Sequence, residues 1–241
     1  MVAFKNIIDV QELQKQGDFS CGYPIYPFKK NILFYSNCHG LVLSELLRHN
    51  PQIFEKYNVF LILGYLYDKK EEYNVDNIPY DILYNLVSHT DIFIYQPCYN
   101  NKPLISSDTM LSYLPEGSQT IKISNPQNTA LWALHFPEEN RTYYNIHEEY
   151  IRTMSILKSQ DEQSDTPVYK YIVENLKKHN LFIDRPHPTL RLFVEIAKYI
   201  WNILNVEPIY LTDEYIDLNP NPCYLPGSVP KTELDSLLNL S

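Results

Sequence analysis

Four short apolar runs stand out in the first half of the chain. Each is rich in strand-forming residues and is apolar on both faces, and together they cover residues 31–36, 58–64, 91–96 and 119–124. Strands that are apolar on both faces are typical of a buried parallel sheet. The pattern therefore predicts four strands of such a sheet.

Segments with helical spacing lie between these runs. Their apolar residues recur three and four positions apart, as one face of an amphipathic helix requires. They are Leu41, Leu43, Leu46 and Leu47 after the first run, Ile82, Leu83, Leu86 and Val87 before the third, and Met110, Leu111 and Leu114 after it. Strands that alternate with helices predict the α/β class, with a parallel sheet and flanking helices.

The second half of the chain is predicted to be rich in helices. We expect one helix over 150–157 and a second over 168–179, with Thr166 as its N-cap. The strongest helix is expected over 188–204, where apolar residues keep a regular helical spacing and Pro188 takes the first helical position.

No clear domain boundary interrupts the sequence. The polar stretch 159–165 is expected to be a loop, and the proline-rich stretch 207–230 an irregular tail on the surface. We therefore expect a single domain over 1–241, with a sheet-rich part (1–125) and a helical part with a proline-rich tail (126–241).

Composition excludes several classes of protein. The 241 residues are 44% hydrophobic and 20% charged, which argues against a disordered chain, a collagen-like repeat and a coiled coil. The net charge of −9 argues against nucleic acid as a partner, because duplex-binding proteins present a basic face. With six glycines, the chain has neither a GxGxxG nor a GxxxxGK[ST] phosphate loop.

The cysteines and the apolar segments bear on cellular location. The four cysteines are widely spaced without a CxxC pair, which argues against a zinc ribbon and against a disulfide scaffold. No signal peptide is recognisable near the first residues, and the longest apolar stretch, 59–67, is too short to span a bilayer. We expect a cytoplasmic protein with reduced thiols, no membrane span and no required metal.

The first candidate for chemistry is the sequence Ser36-Asn37-Cys38-His39-Gly40, between the first predicted strand and a helix. Ligands of open α/β sheets bind beyond the carboxyl ends of the strands. A helix N-terminus at that position favours an anion and the thiolate form of a cysteine. Cys38 is therefore a candidate nucleophile, and the alternative is a buried, inert cysteine.

The second candidate is the D-x-x-H segment formed by Asp184 and His187, just before the strongest predicted helix. A carboxylate against one imidazole nitrogen leaves the other nitrogen to act as a general base. The alternative is that Asp184 or His187 only caps the helix.

Three short motifs carry a resemblance to a known family over roughly residues 30–205. The strand–SNCHG–helix segment resembles the G-N-C-Q motif of WcbI-type polysaccharide biosynthesis proteins, with Ser36 in place of the usual Gly and His39 in place of the usual Gln. The HPT segment with its long helix and the DIFIYQP strand, with Gln96 at its end, resemble two further motifs of that family.

The resemblance implies a fold and a reaction. Proteins of that family are similar in part to SGNH hydrolases, which implies an SGNH-like parallel sheet. They are implicated as sugar acetyltransferases that use acetyl-CoA. In that comparison Cys38 stands where the hydrolases have their serine, and Asp184 and His187 stand where they have D-x-x-H. Two mechanisms are open: Cys38 accepts the acetyl group and passes it on, or His187 activates the acceptor for direct attack.

An oxyanion in such a reaction needs fixed N–H donors. Besides the N–H of Cys38, candidates are Gly64, whose alternative is to start a turn, and the Gln96 side chain, whose alternative is to cap a strand. Asn37 and His39 complete the expected substrate-binding set, and the alternative for Asn37 is an Asx bond that holds the turn.

The phosphates of coenzyme A call for cations. Among several Lys and Arg residues we favour Lys102 and Arg185, together with Ser36, as the cofactor-binding set. The expected partner is a sugar or nucleotide-sugar acceptor with a hydroxyl or an amine. The rival functions are an SGNH-like esterase or deacetylase that uses the same site, and a non-catalytic glycan-binding module.

Overall fold

The computed structural model describes most of the two compact units into which the chain divides. One unit is Met1–Lys122 with Asn205–Glu207, and the other is Ile123–Leu204 with Pro208–Ser241. The prediction of one domain over 1–241 stays a prediction. The described residues are 19–21, 26–64, 80–97, 103–128, 146–183 and 187–220.

The described part of the first unit contains a five-stranded sheet with the order β1-β3-β2-β4-β5. Strands β2 to β5 are mutually parallel, and β1 pairs antiparallel with β3 at one edge. All four predicted strands are confirmed to within two residues at each end. The strands are β1 (Phe19–Cys21), β2 (Lys30–Ser36), β3 (Tyr57–Leu63), β4 (Ile92–Tyr95) and β5 (Gln119–Lys122).

Helices cover both faces of this sheet, so the α/β class is confirmed. In the first unit they are α1 (His39–Arg48), α2 (Pro51–Lys56), α3 (Tyr80–Val87) and α4 (Ser107–Ser112). Helices α3 and α4 pack on the face that carries Leu33, Tyr35 and Phe93. Helix α1 packs on the other face, where Gly40 approaches Leu61.

Burial on both faces explains why the central strands are continuously apolar. In β2, residues Ile32 to Tyr35 are at most 1% exposed, and Phe60 to Ile62 of β3 are equally buried. The predicted apolar face of α1 is correct at Leu43, Leu46 and Leu47. It is wrong at Leu41, which is 39% exposed.

The described part of the second unit is mainly helical, as predicted. Its helices are α5 (Ile146–Asp161), α6 (Tyr169–Asn175), α7 (Leu190–Ile203) and α8 (Asp213–Leu218). Helix α7 buries every apolar position that the periodicity singled out, among them Phe193 and Trp201. These side chains form the helical core of the unit.

Two helix starts differ from the prediction for the same reason. Pro188 forms an antiparallel bridge with Phe182, so α7 begins only at Leu190, after Thr189. Thr166 does not cap α6, because its hydroxyl accepts a hydrogen bond from the Ser124 N–H at 2.8 Å. In both places a backbone contact with a residue outside the helix replaces the predicted helix start.

Two stretches predicted to be irregular are partly helical. Helix α5 continues through Asp161, so the predicted loop 159–165 starts later. Within the proline-rich tail, α8 is capped by Thr212, whose hydroxyl accepts from the Tyr215 N–H at 3.1 Å. The remainder of the tail beyond residue 220 lies outside the described residues.

An ion-pair cluster ties α8 to α7. The buried guanidinium of Arg191 donates to the carboxylates of Asp213 and Asp217, each at 2.9 Å. Burial opposes the charge of Arg191, but the two carboxylates outweigh that effect and raise the pKa of its guanidinium above the ordinary value. The α8 segment is thereby held to the helical core.

None of the helices in the described residues is both long and apolar enough to cross a bilayer.

Candidate functional site

The SNCHG segment lies at the carboxyl end of β2, in the middle of the parallel strands. Strand β2 ends at Ser36 and helix α1 starts at His39, so Asn37 and Cys38 form the whole connection. Parallel strands β3 and β4 flank β2 and end at the same edge of the sheet. The edge at which α/β proteins bind ligands is thus occupied by these residues.

Hydrogen bonds hold the turn around Cys38. The Asn37 side-chain oxygen accepts from the His39 N–H at 2.9 Å, which is the Asx bond described as an alternative above. The N–H groups of Gly40 and Leu41 donate to the carbonyls of Asn37 and Cys38 at 3.0 and 3.1 Å. The backbone on both sides of Cys38 is therefore rigidly held.

The Gln96 side chain reaches this turn from the end of β4. Its Oε1 accepts from the Asn37 N–H, and its Nε2 faces Nδ1 of His39, each at 3.1 Å. Gln96 and His39 are both buried, at 4% and 1% exposure. Residues from two separate motifs are thus in direct contact: Asn37 and His39 of SNCHG, and Gln96 of DIFIYQP.

Two glycines permit close packing at the site. A Cβ atom on Gly40 would lie 1.9 Å from Oγ of Ser36 and 2.7 Å from Leu61. A Cβ atom on Gly64, directly after β3, would lie 2.6 Å from the Tyr35 ring. A side chain at either position would therefore force its neighbours to shift. The predicted role of Gly64 toward an oxyanion stays a prediction.

Cys38 is a free cysteine with a half-buried side chain. It occupies the N-cap position of α1 but makes no capping hydrogen bond with its side chain. Ser36, predicted to contact the cofactor, is buried, and its hydroxyl donates to the Asn37 carbonyl at 3.0 Å. Its predicted contact with a cofactor is untested.

His187 belongs to the second unit and is half-buried. Its carbonyl accepts from the Ile183 N–H at 2.8 Å. Because α7 begins three residues later, after its N-cap Thr189, the alternative that His187 caps this helix is wrong. Its role as a base stays a prediction.

Three of the predicted residues, Asp184, Arg185 and Lys102, lie outside the described residues. Other candidate cations have structural contacts: Arg48 donates to the Val59 carbonyl at 3.0 Å, and Lys29 lies 3.9 Å from the ring centre of Tyr26.

The sequence did not predict the hydrogen bond that holds the Gln96 backbone. The buried Ser107 donates its hydroxyl to the Gln96 carbonyl at 3.2 Å, and the Tyr35 hydroxyl donates to the Ile105 carbonyl at 2.5 Å. The available signal was the Ser106-Ser107-Asp108 sequence, a helix-start pattern shortly after the third strand. This pattern did not reveal the contact with Gln96, because the contact depends on how α4 packs against the end of β4.

Each unit has a cavity lined by described residues. One, of about 380 Å³, lies at the amino ends of the strands and is lined by Lys30, His89 and Asp91 among others. The other, of about 180 Å³, lies in the second unit beside Thr153 of α5. Within the described residues, no group of three or more His, Cys, Asp or Glu side chains could hold a metal ion.

Comparison with known proteins shows a similar fold at low sequence identity. A solved structure of WcbI, described as a novel polysaccharide biosynthesis enzyme, superimposes with a TM-score of 0.58 and 18% identity over 78% of this chain and 72% of that chain. That structure is described as the native protein without a disulfide bond between coenzyme A and one of its cysteines. No family model and no curated protein matches this chain.

Proposed function

We propose that this protein is an acetyltransferase that transfers an acetyl group from acetyl-CoA to a hydroxyl or amine of a sugar in glycan biosynthesis. The observation that carries the proposal is the rigid turn around Cys38, at the carboxyl end of β2 and the N-terminus of a ten-residue helix. The fold shared with a polysaccharide biosynthesis enzyme described together with coenzyme A supports it.

The hydrogen bonds of the turn indicate which of its backbone N–H groups could donate to an oxyanion. The N–H groups of Asn37, His39, Gly40 and Leu41 all donate within the protein. We therefore assign the N–H of Cys38 to the carbonyl oxygen that gains negative charge in the reaction. Gly64 and Gln96 remain the other proposed donors.

Two routes use the same residues. Acetyl-CoA supplies an activated acetyl carbonyl as a thioester. In the first route the Cys38 thiolate attacks the acetyl carbonyl, the thioester bond breaks and coenzyme A leaves as its thiolate; the acceptor then attacks the acetyl carbon and the Cys38 thiolate leaves. In the second route the acceptor attacks the thioester directly, coenzyme A leaves as its thiolate, and Cys38 shapes the site. In both, His187 takes the proton that the acceptor loses, and Asp184 holds the imidazole in the required tautomer.

The cofactor and the location follow from the same proposal. Lys102, Arg185 and Ser36 are proposed to contact coenzyme A. Of the other candidate cations, Arg48 and Lys29 already serve structural contacts. A sugar or nucleotide-sugar is the proposed acceptor. The use of coenzyme A fits a cytoplasmic protein, and this location stays a prediction.

The first test is binding. Thermal unfolding is followed with coenzyme A, acetyl-CoA and, as a control that has phosphates but no pantetheine, ATP. A ligand at a hundred times its dissociation constant stabilises the folded state by about 2.7 kcal/mol. We expect coenzyme A and acetyl-CoA to raise the melting temperature and ATP to leave it unchanged. The absence of any shift at millimolar coenzyme A would contradict the proposal.

The second test separates transfer from its rivals. Coenzyme A release from acetyl-CoA should depend on an added sugar acceptor, and His187→Ala should lower it by about 100-fold or more while coenzyme A binding persists. Asp184→Asn should have a smaller effect. Release of acetate from a model ester without coenzyme A would indicate an esterase. Sugar binding without turnover, unaffected by changes at Cys38 or His187, would indicate a binding module.

A further inference from the structure

A backbone donor determines how the Gln96 amide is oriented. The Asn37 N–H can only donate, so the group that faces it at 3.1 Å must be the carbonyl oxygen Oε1 of Gln96. Amide orientations are assigned from such networks. The NH₂ group of Gln96 is therefore the one that faces His39, also at 3.1 Å.

This orientation decides the tautomer of His39. An NH₂ group only donates, so Nδ1 of His39 must accept with its lone pair, and the neutral ring carries its proton on Nε2. A doubly protonated ring would place an N–H against the Gln96 NH₂ group. The ring is 1% exposed, and burial likewise favours the neutral form.

The Gln96 backbone is anchored in turn. Its N–H donates to the Tyr35 carbonyl at 3.1 Å, which continues the pairing of β2 with β4. Its carbonyl accepts from the buried Ser107 hydroxyl at 3.2 Å. A side chain on a backbone held at both ends can position its partners accurately.

We propose that Gln96 and His39 form a positioning pair that holds the turn carrying Cys38, and that His39 is not the proton acceptor of the reaction. This inference rests on the proposed function. The basic lone pair of His39 is occupied by the Gln96 amide, and the backbone N–H of His39 holds the side chain of Asn37. The base must therefore come from outside the SNCHG motif, as the proposed role of His187 requires.

The tautomer can be measured directly. In a two-bond ¹H–¹⁵N NMR spectrum of the full-length protein near neutral pH, we expect His39 to show a proton on Nε2 and none on Nδ1. His89 is an internal control with the opposite tautomer. Its Nδ1 faces the Asn85 carbonyl at 2.7 Å and must carry the proton. A proton on Nδ1 of His39 would overturn the proposal.

The variant Gln96→Glu tests whether the Gln96 amide determines the tautomer of His39. A carboxylate still accepts from the Asn37 N–H but cannot donate to Nδ1, so the His39 signal should change to a form protonated on Nδ1. The pH profile of Cys38 alkylation should change with it. The control Ser107→Ala leaves the Gln96 amide in place and should keep the wild-type tautomer. An unchanged His39 signal in folded Gln96→Glu would contradict the pairing, and the wild-type spectrum decides the matter if this variant fails to fold.

Activity provides a separate readout. Gln96→Ala should lower kcat on the order of 100-fold through misplacement of the turn, with KM nearly unchanged. Coenzyme A should still shift its melting temperature. If the wild-type protein binds no coenzyme A, the proposed function fails and the tautomer still tests the pair. If coenzyme A binds but kcat of Gln96→Ala equals that of the wild type, the positioning role fails alone.

Discussion

At the scale of single residues, the contact between Ser36 and Gly40 explains part of the SNCHG motif. Ser36 ends the central strand and Gly40 lies in the first turn of α1, so the two residues meet where the helix packs against the sheet. A Cβ atom at position 40 would lie 1.9 Å from the Ser36 hydroxyl oxygen. Position 40 thus has a packing requirement that is independent of any catalytic role.

We expect Gly40→Ala to destabilise the protein by about 1–3 kcal/mol, the usual cost of overpacking a close contact. Ser36→Ala removes the hydroxyl oxygen from that contact, so the double variant should be less destabilised than the sum of the single variants. Equilibrium urea unfolding of the wild type and the three variants measures this coupling.

Gly117→Ala is the control for the Gly40 experiment. A Cβ atom at Gly117 would have no neighbour within 4 Å, but φ is +86°, so alanine there is strained by its backbone conformation. The changes in the free energy of unfolding caused by Gly117→Ala and Ser36→Ala should simply add in the double variant. Equal coupling at positions 40 and 117, or none at either, would show that the Ser36 contact is not the cause.

At the scale of secondary structure elements, the Asp161 carboxylate connects the end of α5 to the start of α6. It accepts hydrogen bonds from the Tyr169 N–H and, at 3.1 Å, from the Ser124 hydroxyl. It thereby takes the capping role that sequence reasoning gave to Thr166. Burial raises the pKa of the Asp161 carboxyl, against the opposing effect of these hydrogen bonds.

This raised pKa predicts how stability depends on pH. Above the unfolded-state pKa of about 3.9, the folded state binds the Asp161 proton more tightly than the unfolded state does. The contribution of Asp161 to the free energy of unfolding is therefore largest at low pH and falls as the pH rises through the folded-state pKa. Asp161→Asn should remove this fall, so its stability relative to the wild type should increase from about pH 4 toward neutrality.

Chemical denaturation at a series of pH values measures this difference. Glu162→Gln is the matched control, because it removes an adjacent acidic group that is exposed. Its stability relative to the wild type should lack the increase expected for Asp161→Asn. Parallel profiles for the two variants would show that burial of Asp161 is not responsible.

At the scale of the whole molecule, the net charge of −9 opposes an anionic ligand. Binding of coenzyme A would then depend on local cations near its phosphates. Salt screens both the general repulsion and the local attraction, but contacts at a few ångströms are the stronger interactions. The sign of the salt dependence therefore reports which interaction dominates.

We expect the affinity for coenzyme A to fall as salt is raised from about 0.05 to 0.5 M, because the proposed site places Lys and Arg side chains against its phosphates. Isothermal titration calorimetry at several salt concentrations measures the trend, and pantetheine, which has no phosphate, is the control with little dependence. An affinity that rises with salt would mean that the net charge dominates and that the basic pocket is missing.

The hydrophobic pattern along each segment was sufficient to predict the main elements of the fold. The four central strands and helix α7 were predicted because each buries enough apolar side chains to leave a regular pattern in its own sequence. Strand β1 was missed because it has three residues and lies at the edge of the sheet. The starts of α6 and α7 were misplaced because Thr166 and Pro188 have backbone partners outside these helices, at Ser124 and Phe182.

The same distinction holds for the candidate site. The sequence determined that an apolar strand ends in SNCHG just before a helix and that Gln96 ends another strand, since strand ends and helix starts depend on neighbouring residues. Only the tertiary structure decided that Gln96 contacts both Asn37 and His39, that Ser107 supports it and that Gly40 must lack a side chain. These contacts join residues from different elements, and their distances depend on how the strands and helices pack together. Periodicity along one segment carries no information about that packing.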